Sequence, residues 1–486
     1  MEILRNIIIF CFVAVSVSAQ GQNAFYKKYA SSVFDSGNGV VQLPDSSYAI
    51  TGSSGAFDAY SSQAYLMFTD KGGNQLLTKS YGGDGDDIGV RVMHIPNEGF
   101  FIAGYTNSTI GGDYDFVLYK TDEQGNLLWE KHYGTENWEK LNDAILLPDG
   151  GVVMVGQTEG LTTQLIDIFM VRTDAMGDTL WTKTLATPEN DIAYALDTIS
   201  ANAFILAGDH GNNGASAGML AKYDFDGNQE WMQFYEQQGQ STIRTVKIFD
   251  NWIYAFGGIA IEEEDGGFYK WGIEVRADGQ YNGYWSGSQM ASSLFNAMVI
   301  RDASSMFIGY YADAEDVNPY ESGNDAFVMK FFTDLYYNDL SVNLSGKGED
   351  IINQMIVTLD SGIVVVGTSS QSSFGSTDYY LGSEIMLAKI GPDDEVASTP
   401  TTAEDLVAIN EESVLRLPIF PNPTKDMVYL PEEVLSYPFE LTDFQGKVVL
   451  QGNVESTLNT GELEVGIYFL NVFGKDQVWK TKLIKQ

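Results

Sequence analysis

Cysteine, histidine and positive charge are all scarce in this chain, and each scarcity removes a class of chemistry. Among 486 residues there is one cysteine, Cys11, and it lies in an apolar N-terminal run. The rest of the chain therefore has neither disulfides nor thiolate chemistry to draw on. Only three histidines occur, His94, His132 and His210, and no His-x-His or His-Glu-x-x-His pairs them, so no zinc or copper signature is present. No Gly-x-Ser-x-Gly phrase marks a nucleophilic hydrolase. Lys plus Arg total 27 against 66 Asp plus Glu, a formal charge of −39. Phosphate backbones and anionic membrane surfaces are gripped by clustered cations, so nucleic acid and membrane surface are not expected partners. Beyond the N-terminal run no stretch stays apolar for about 18 residues, and no transmembrane segment is expected.

The N-terminal run reads as an address. Arg5 precedes the apolar stretch Ile7 to Val17, and Val17-Ser18-Ala19 offers small residues for cleavage. Residues 1–19 are expected to be a secretory signal peptide, with the mature chain starting at Gln20.

What the chain has in abundance is a repeat. A short apolar run ends in glycine at Gly52, Gly104, Gly156, Gly208, Gly257, Gly309 and Gly367. A period near 50 residues points to an array or a propeller. The second copy shows the internal plan. Ile88 to Ile95 alternates, Pro96 to Gly99 is a turn, and Phe100 to Tyr105 is a continuous apolar run. Asn107 to Asp113 is a polar loop, Phe116 to Lys120 is a strand, Asp122 to Asn126 is a turn, and Leu127 to Tyr133 is a fourth strand. Four short antiparallel strands per repeat is the size of one propeller blade.

The copies share further positions. Turn glycines recur at Gly73, Gly125, Gly177, Gly227 and Gly279, and a tryptophan follows four residues on at Trp129, Trp181 and Trp231. A basic residue closes the third strand at Lys120, Arg172, Lys222, Arg276, Lys330 and Lys389. An acid opens it at Asp115, Asp167, Asp325 and Glu384. The turn glycines supply φ > 0 and the tryptophans are expected to fill space between sheets. The seventh copy stops after three strands at Gly391. Gly21 to Ala30 matches the fourth strand of other copies, with Phe25 in the tryptophan place. The expected fold is all-β: a seven-bladed β-propeller of four-stranded blades over residues 20–391, closed by the N-terminal strand.

The phrase Gly-Gly-Asp-x-Asp-Phe-x-Leu-x-Lys-x-Asp-x-x-Gly-x-x-x-Trp, from Gly111 to Trp129, resembles the secreted bacterial β-propeller repeat. The resemblance implies a fold rather than a function, because such repeats serve as scaffolds for many roles. The turn also looks like that of quinoprotein dehydrogenases and the sialidase Asp-box. The first spacing is one residue longer than here, and the Ser-x-Asp-x-Gly-x-Thr-Trp pattern of the second is absent.

Residues 392–415 hold seven acids and no Lys or Arg, and are expected to be a flexible linker. Residues 416–486 are close to neutral. Phe420-Pro421-Asn422-Pro423-Thr424, Asp443 to Val449 around Gly446, Leu463 with Gly466 and Tyr468, and Lys480 to Lys485 around Lys482 occur in order. This segment resembles the C-terminal sorting domain of type IX secretion in the Bacteroidota, a small β-sandwich. The resemblance implies the secretion machinery and its sorting peptidase as partners. It also implies cleavage in the linker, and a destination at the outer-membrane surface or outside the cell.

No catalytic constellation emerges, and no resident metal or cofactor is expected. Asp84-x-Asp86 could begin a calcium loop, but no copy continues to the Gly and Glu of an EF-hand. The connection after the second-strand glycine is longest in copies five to seven. Its extra residues include Tyr269, Asp313, Asp316, Tyr320, Tyr379 and Tyr380, the expected ligand-binding set. The sequence reading is a monomeric, surface-displayed propeller that binds a glycan or a protein. The alternative is a glycosidase or lyase using carboxylates on the propeller face.

Overall fold

The computed structural model describes residues 24–30, 34–55, 61–109, 111–159, 165–212, 215–235, 240–260, 268–286, 293–313, 324–332, 337–344, 349–370, 382–397, 415–417, 419, 424–431, 434–443, 447–461, 463, 465–473 and 478–485. The chain divides near Leu406 into two compact units. No helix among the described residues is long and apolar enough to cross a membrane.

Among the described residues the larger unit forms seven four-stranded blades, antiparallel wherever the register is given. Blade two is typical, with strands Asp87–Ile95, Gly99–Thr106, Asp115–Thr121 and Leu127–Tyr133 paired in that order. Neighbouring blades cover both faces of its second and third strands, so these are buried almost throughout. That is why the sequence shows continuous apolar runs there. The outer strand alternates half-buried and exposed residues up to the buried Tyr133, because only one of its faces meets a neighbour.

Blades one and seven form a single eight-stranded sheet, joined by one parallel pair, Phe34 with Ser383. Blade seven takes three strands from Asp350–Val357, Ile363–Ser370 and Ser383–Ile390. Its fourth is the N-terminal strand Phe25–Tyr29, which pairs with Ser383–Ile390. The phenol of Tyr26 donates to the carbonyl of Leu344 at 2.9 Å. The N-terminal strand thus completes the last blade and covers the outer edge of Ser383–Ile390.

A repeated contact links neighbouring blades at four junctions, through Gly73, Gly177, Gly227 and Gly279. The turn glycine of one blade lies against the outer-strand aromatic of the blade before. A Cβ on Gly177 would stand 2.4 Å from Cη2 of Trp129, and a Cβ on Gly73 would stand 2.8 Å from Cε2 of Phe25. Both glycines have positive φ, 76° and 78°. Only glycine meets both the backbone and the space requirement. Trp181 and Trp231 also donate their indole N–H to the next turn, at Phe225 O (3.0 Å) and Ala277 O (3.2 Å). Tyr81, Tyr133 and Tyr235 donate to the carbonyls of Gly125, Gly177 and Gly279. Phe25 therefore takes the tryptophan place in space as it does in the repeat.

The propeller does not stop at Gly391. Ile390 bridges to Val396, and the Asp394 carboxylate accepts from Arg301 at 2.6 Å and Lys330 at 2.5 Å, both in blade six. The start of the acidic stretch is held by two cations that composition alone gave no reason to place there.

In the smaller unit a five-stranded sheet and a two-stranded sheet enclose Val428, Leu441, Leu470, Val472, Trp479 and Leu483. Tyr468 is buried in that core. Gly466 pairs with Lys485, and Lys482 with Phe469, along one hairpin. Thr424 bridges to Lys485, which brings the residue after Pro-Asn-Pro to the basic end of the chain. Pro421, Asn422, Pro423 and Gly446 lie outside the described residues.

Candidate functional site

Every inner strand of the propeller carries a β-bulge at the same place. The register shifts skip Asn38, Val90, Asn142, Tyr194, Arg244, Asn296 and Asn353. A bulge leaves one residue unpaired and re-aims its side chain. All seven residues line one cavity of about 370 Å³ among the inner strands. The bulge converts a strand edge into a ring of seven presented side chains.

Four of the seven are asparagines, and they tie the ring together. Asn38 donates to Gly89 O at 2.9 Å, Asn142 to Ala193 O at 2.8 Å, and Asn296 to Ile352 O. Asn353 donates to Gly37 O at 2.9 Å, closing the circle from blade seven to blade one. The residue after the bulge works similarly. Gln354 accepts from Val40 N at 2.7 Å, and Asp143 accepts from Leu196 N at 2.8 Å.

The remaining bulge residues give the cavity its chemistry. The Arg244 guanidinium lies 3.7 Å from the centre of the Tyr194 ring, a stacked cation–π pair. Its Nε donates to Thr242 Oγ1 at 2.9 Å, and Thr242 Oγ1 donates to Asp209 Oδ2 at 2.9 Å. Asp209 also accepts from Ile243 N at 3.1 Å. Burial pushes the Asp209 carboxyl up to about 6, against the opposing pull of Arg244 and these hydrogen bonds. Burial, then the Asp209 charge, raises the Tyr194 phenol far above its ordinary value although Arg244 pulls the other way.

The lining charges run against the rest of the protein. Three cations, Arg91, Arg244 and Lys247, face the cavity, with one carboxylate, Asp143. Arg91 Nε donates to Asp143 Oδ1 at 2.7 Å, and its Nη1 donates to Asn38 O and Val90 O at 3.1 Å. Lys247 lies 3.8 Å from Asp197.

The face from which the chain enters each inner strand holds a second repeated feature, missed in the sequence. Asp35, Asp87, Glu139, Asp191 and Asp350 are each 0–1% exposed. Asp87 accepts from Thr106, Ser108, Tyr119 and Gly83 N; Glu139 accepts from Thr135 and Thr158; Asp191 pairs with His210 at 2.6 Å. These acids bolt the strand starts together. Their spacing of 52 residues over the first four was the available signal.

The sequence-derived site is mostly untouched by the described structure. Asp316, Tyr320, Tyr379 and Tyr380 lie outside the described residues. Asp313 ends the strand Ser305–Asp313, and Tyr269 is half-buried on Phe268–Arg276, paired with Ile259. Neither is among the residues lining the cavity. Asp86, read as a calcium-loop acid, accepts from Ser62 N and Oγ at Oδ1 and from the Tyr114 hydroxyl at Oδ2. It is a blade-to-blade link. Among the described residues no group of three or more His, Asp or Glu is arranged to hold a metal.

No curated protein matches this chain. The WD40 domain of Pan2 from Neurospora crassa is similar in structure with a TM-score of 0.43 and 10% identity, covering 76% of this chain and 99% of that one. The β-propeller domain of the Trilobed protease from Pyrococcus furiosus gives 0.44 and 9%, covering 78% and 98%. Sqt1 from Chaetomium thermophilum gives 0.44 and 12%, covering 94% and 98%. Residues 418–486 match the secretion system C-terminal sorting domain, the module of type IX export that sends its carrier to the cell surface or the extracellular space.

Proposed function

We propose that this exported propeller is a binding protein for an extracellular glycan and that the channel cavity receives it. The observation that carries the reading is the bulge ring. Amide, phenol and guanidinium groups are aimed at one cavity by backbone geometry common to all seven blades. Concave sites with a few convergent polar groups are the usual receptors for small ligands. The long connections of blades five to seven, with Tyr269, Asp313, Asp316, Tyr320, Tyr379 and Tyr380, are proposed to add contacts outside the cavity.

Binding is favoured over cleavage by the state of the cavity's acid. Glycoside hydrolysis uses two free carboxyl groups flanking the bond. The cavity presents Asp143, already engaged by Arg91 and Leu196 N. Tyr194 is a poor base, because its proton is held more tightly than in water.

Val90→Tyr tests the reading. Val90 is a bulge residue, and the equivalent position in blade four holds Tyr194. Glycan-array and calorimetric titration of the full chain should show loss of binding by roughly tenfold or more with folding retained. Unchanged binding in the variant, or turnover of the bound glycan, would overturn the proposal.

A further inference from the structure

Arg244 has one edge left over. Its ring-facing side is covered by Tyr194, and its Nε is committed to Thr242. Asp209, the nearest acid in this network, accepts from Thr242 and Ile243 N instead of forming an ion pair with the guanidinium. The terminal nitrogens of Arg244 make no hydrogen bond to a described residue, and the side chain lines the cavity. The other cavity arginine, Arg91, is already bonded to Asp143 and to two carbonyls.

The open edge of a guanidinium is a planar two-donor fork, and its geometric complement is a carboxylate. Charge points to the same group. Among the lining residues Arg91, Arg244 and Lys247 outnumber the one carboxylate, Asp143, and the acids behind them, Asp197 beside Lys247 and Asp209 beyond Thr242, offset that excess, so the preference for an anion rests on the open fork of Arg244. Arg91 and Lys247 already face Asp143 and Asp197, so Arg244 is the lining cation with room for one further negative charge. We infer that Arg244 seats the carboxylate of an acidic sugar in the channel. This rests on the channel reading above and adds the class of sugar. Tyr194 keeps the guanidinium plane fixed, and the Thr242–Asp209 relay holds its inner edge. The fork is thus oriented before the ligand arrives, which lowers the entropic cost of binding.

The test titrates the full chain with sodium glucuronate and with glucose. Glucuronate should bind at least about tenfold more tightly than glucose. Arg244→Gln should erase that preference, and Arg244→Lys should keep only part of it, since an ammonium has charge without a fork. As a check that needs no variant, glucuronate and not glucose should protect Arg244 of the native protein from phenylglyoxal. Equal binding of both sugars, or a preference that survives Arg244→Gln, overturns the carboxylate inference. If both sugars then lose binding in Val90→Tyr, the channel reading stands without it. Glucuronate binding that ignores both Arg244→Gln and Val90→Tyr overturns the two together.

Discussion

The carbonyl oxygen of Ile88 occupies the place a side chain on Gly104 would need: a Cβ on Gly104 would stand 1.9 Å from it. The relation repeats between Ser36 and Gly52 (1.8 Å), Lys140 and Gly156 (2.0 Å), Ile192 and Gly208 (2.0 Å), Thr242 and Gly257 (2.0 Å), and Ile351 and Gly367 (2.1 Å). In each case the carbonyl lies two residues before the bulge. In these six blades the bulge pushes it toward the second strand, where a Cβ would find no room; in blade six Tyr310 stands at the matching place, opposite Phe295. The glycine that announces the repeat is thus the counterpart of the bulge, and the bulge presents the channel ring. Gly309 is the exception. It pairs with Ala297, one position beyond the pattern, and meets only side-chain atoms at 3.0 Å or more.

Gly104→Ala should therefore be far more damaging than its one methyl group suggests. The obstacle is backbone, which cannot rotate aside, so the bulge must shift. Overpacking of this kind costs about 1–3 kcal/mol. Gly283→Ala is the control, since a Cβ there meets nothing within 4 Å. The urea midpoint of Gly104→Ala should fall clearly below wild type while that of Gly283→Ala stays close to it. Equal midpoints for the two variants would contradict the account.

The blade plan was legible because it is written in residues that geometry leaves no choice over. The glycines at Gly104 and Gly177 are fixed by a carbonyl and an indole, so they recur on schedule. Phe25 could be matched to Trp129 because both must cover a turn glycine. The channel was not legible, because its lining is free to vary. Asn38, Val90, Tyr194 and Arg244 fill one structural position with four side-chain types. The bulge also breaks the period-two alternation by which a strand is read, so it hides which residue turns inward. The acids at Asp87 and Glu139 were overlooked for another reason. Acid in a chain this negative reads as solvated surface, whereas here it is buried under hydroxyl donors.

Asp115 should make stability depend on pH. Its carboxyl is pushed up to about 6, first by burial and then by the charges of Glu139 and Asp113, with His132 pulling the other way. A carboxyl with a raised folded pKa binds protons more readily in the folded state. Stability then falls as pH rises from the ordinary carboxylate range, about 4, through 6. Asp115→Asn removes that penalty. The variant should melt above wild type at pH 7.5, and the gap should shrink toward pH 4. A gap that is constant, or wider at pH 4, would show that the Asp115 charge is not the cause.

Asp394 should show the opposite sign. Burial alone would raise its carboxyl, but hydrogen bonds from Lys330 and Arg301, together with their charges, outweigh it and hold the group below its ordinary value. A depressed folded pKa gives stability that is present above the ordinary carboxylate range and is lost as pH falls through the folded value. Arg301 and Lys330 are each only 12% exposed, so removing their shared acid leaves two poorly solvated cations. Asp394→Asn should lower the melting temperature at pH 7 and matter little at pH 3. The clasp also predicts where the propeller resists cutting. Limited proteolysis of wild type should spare the chain through the Ile390–Val396 bridge, whereas Asp394→Asn should be trimmed back toward Gly391. If both proteins are trimmed to the same end, the two ion pairs do not hold this segment to blade six.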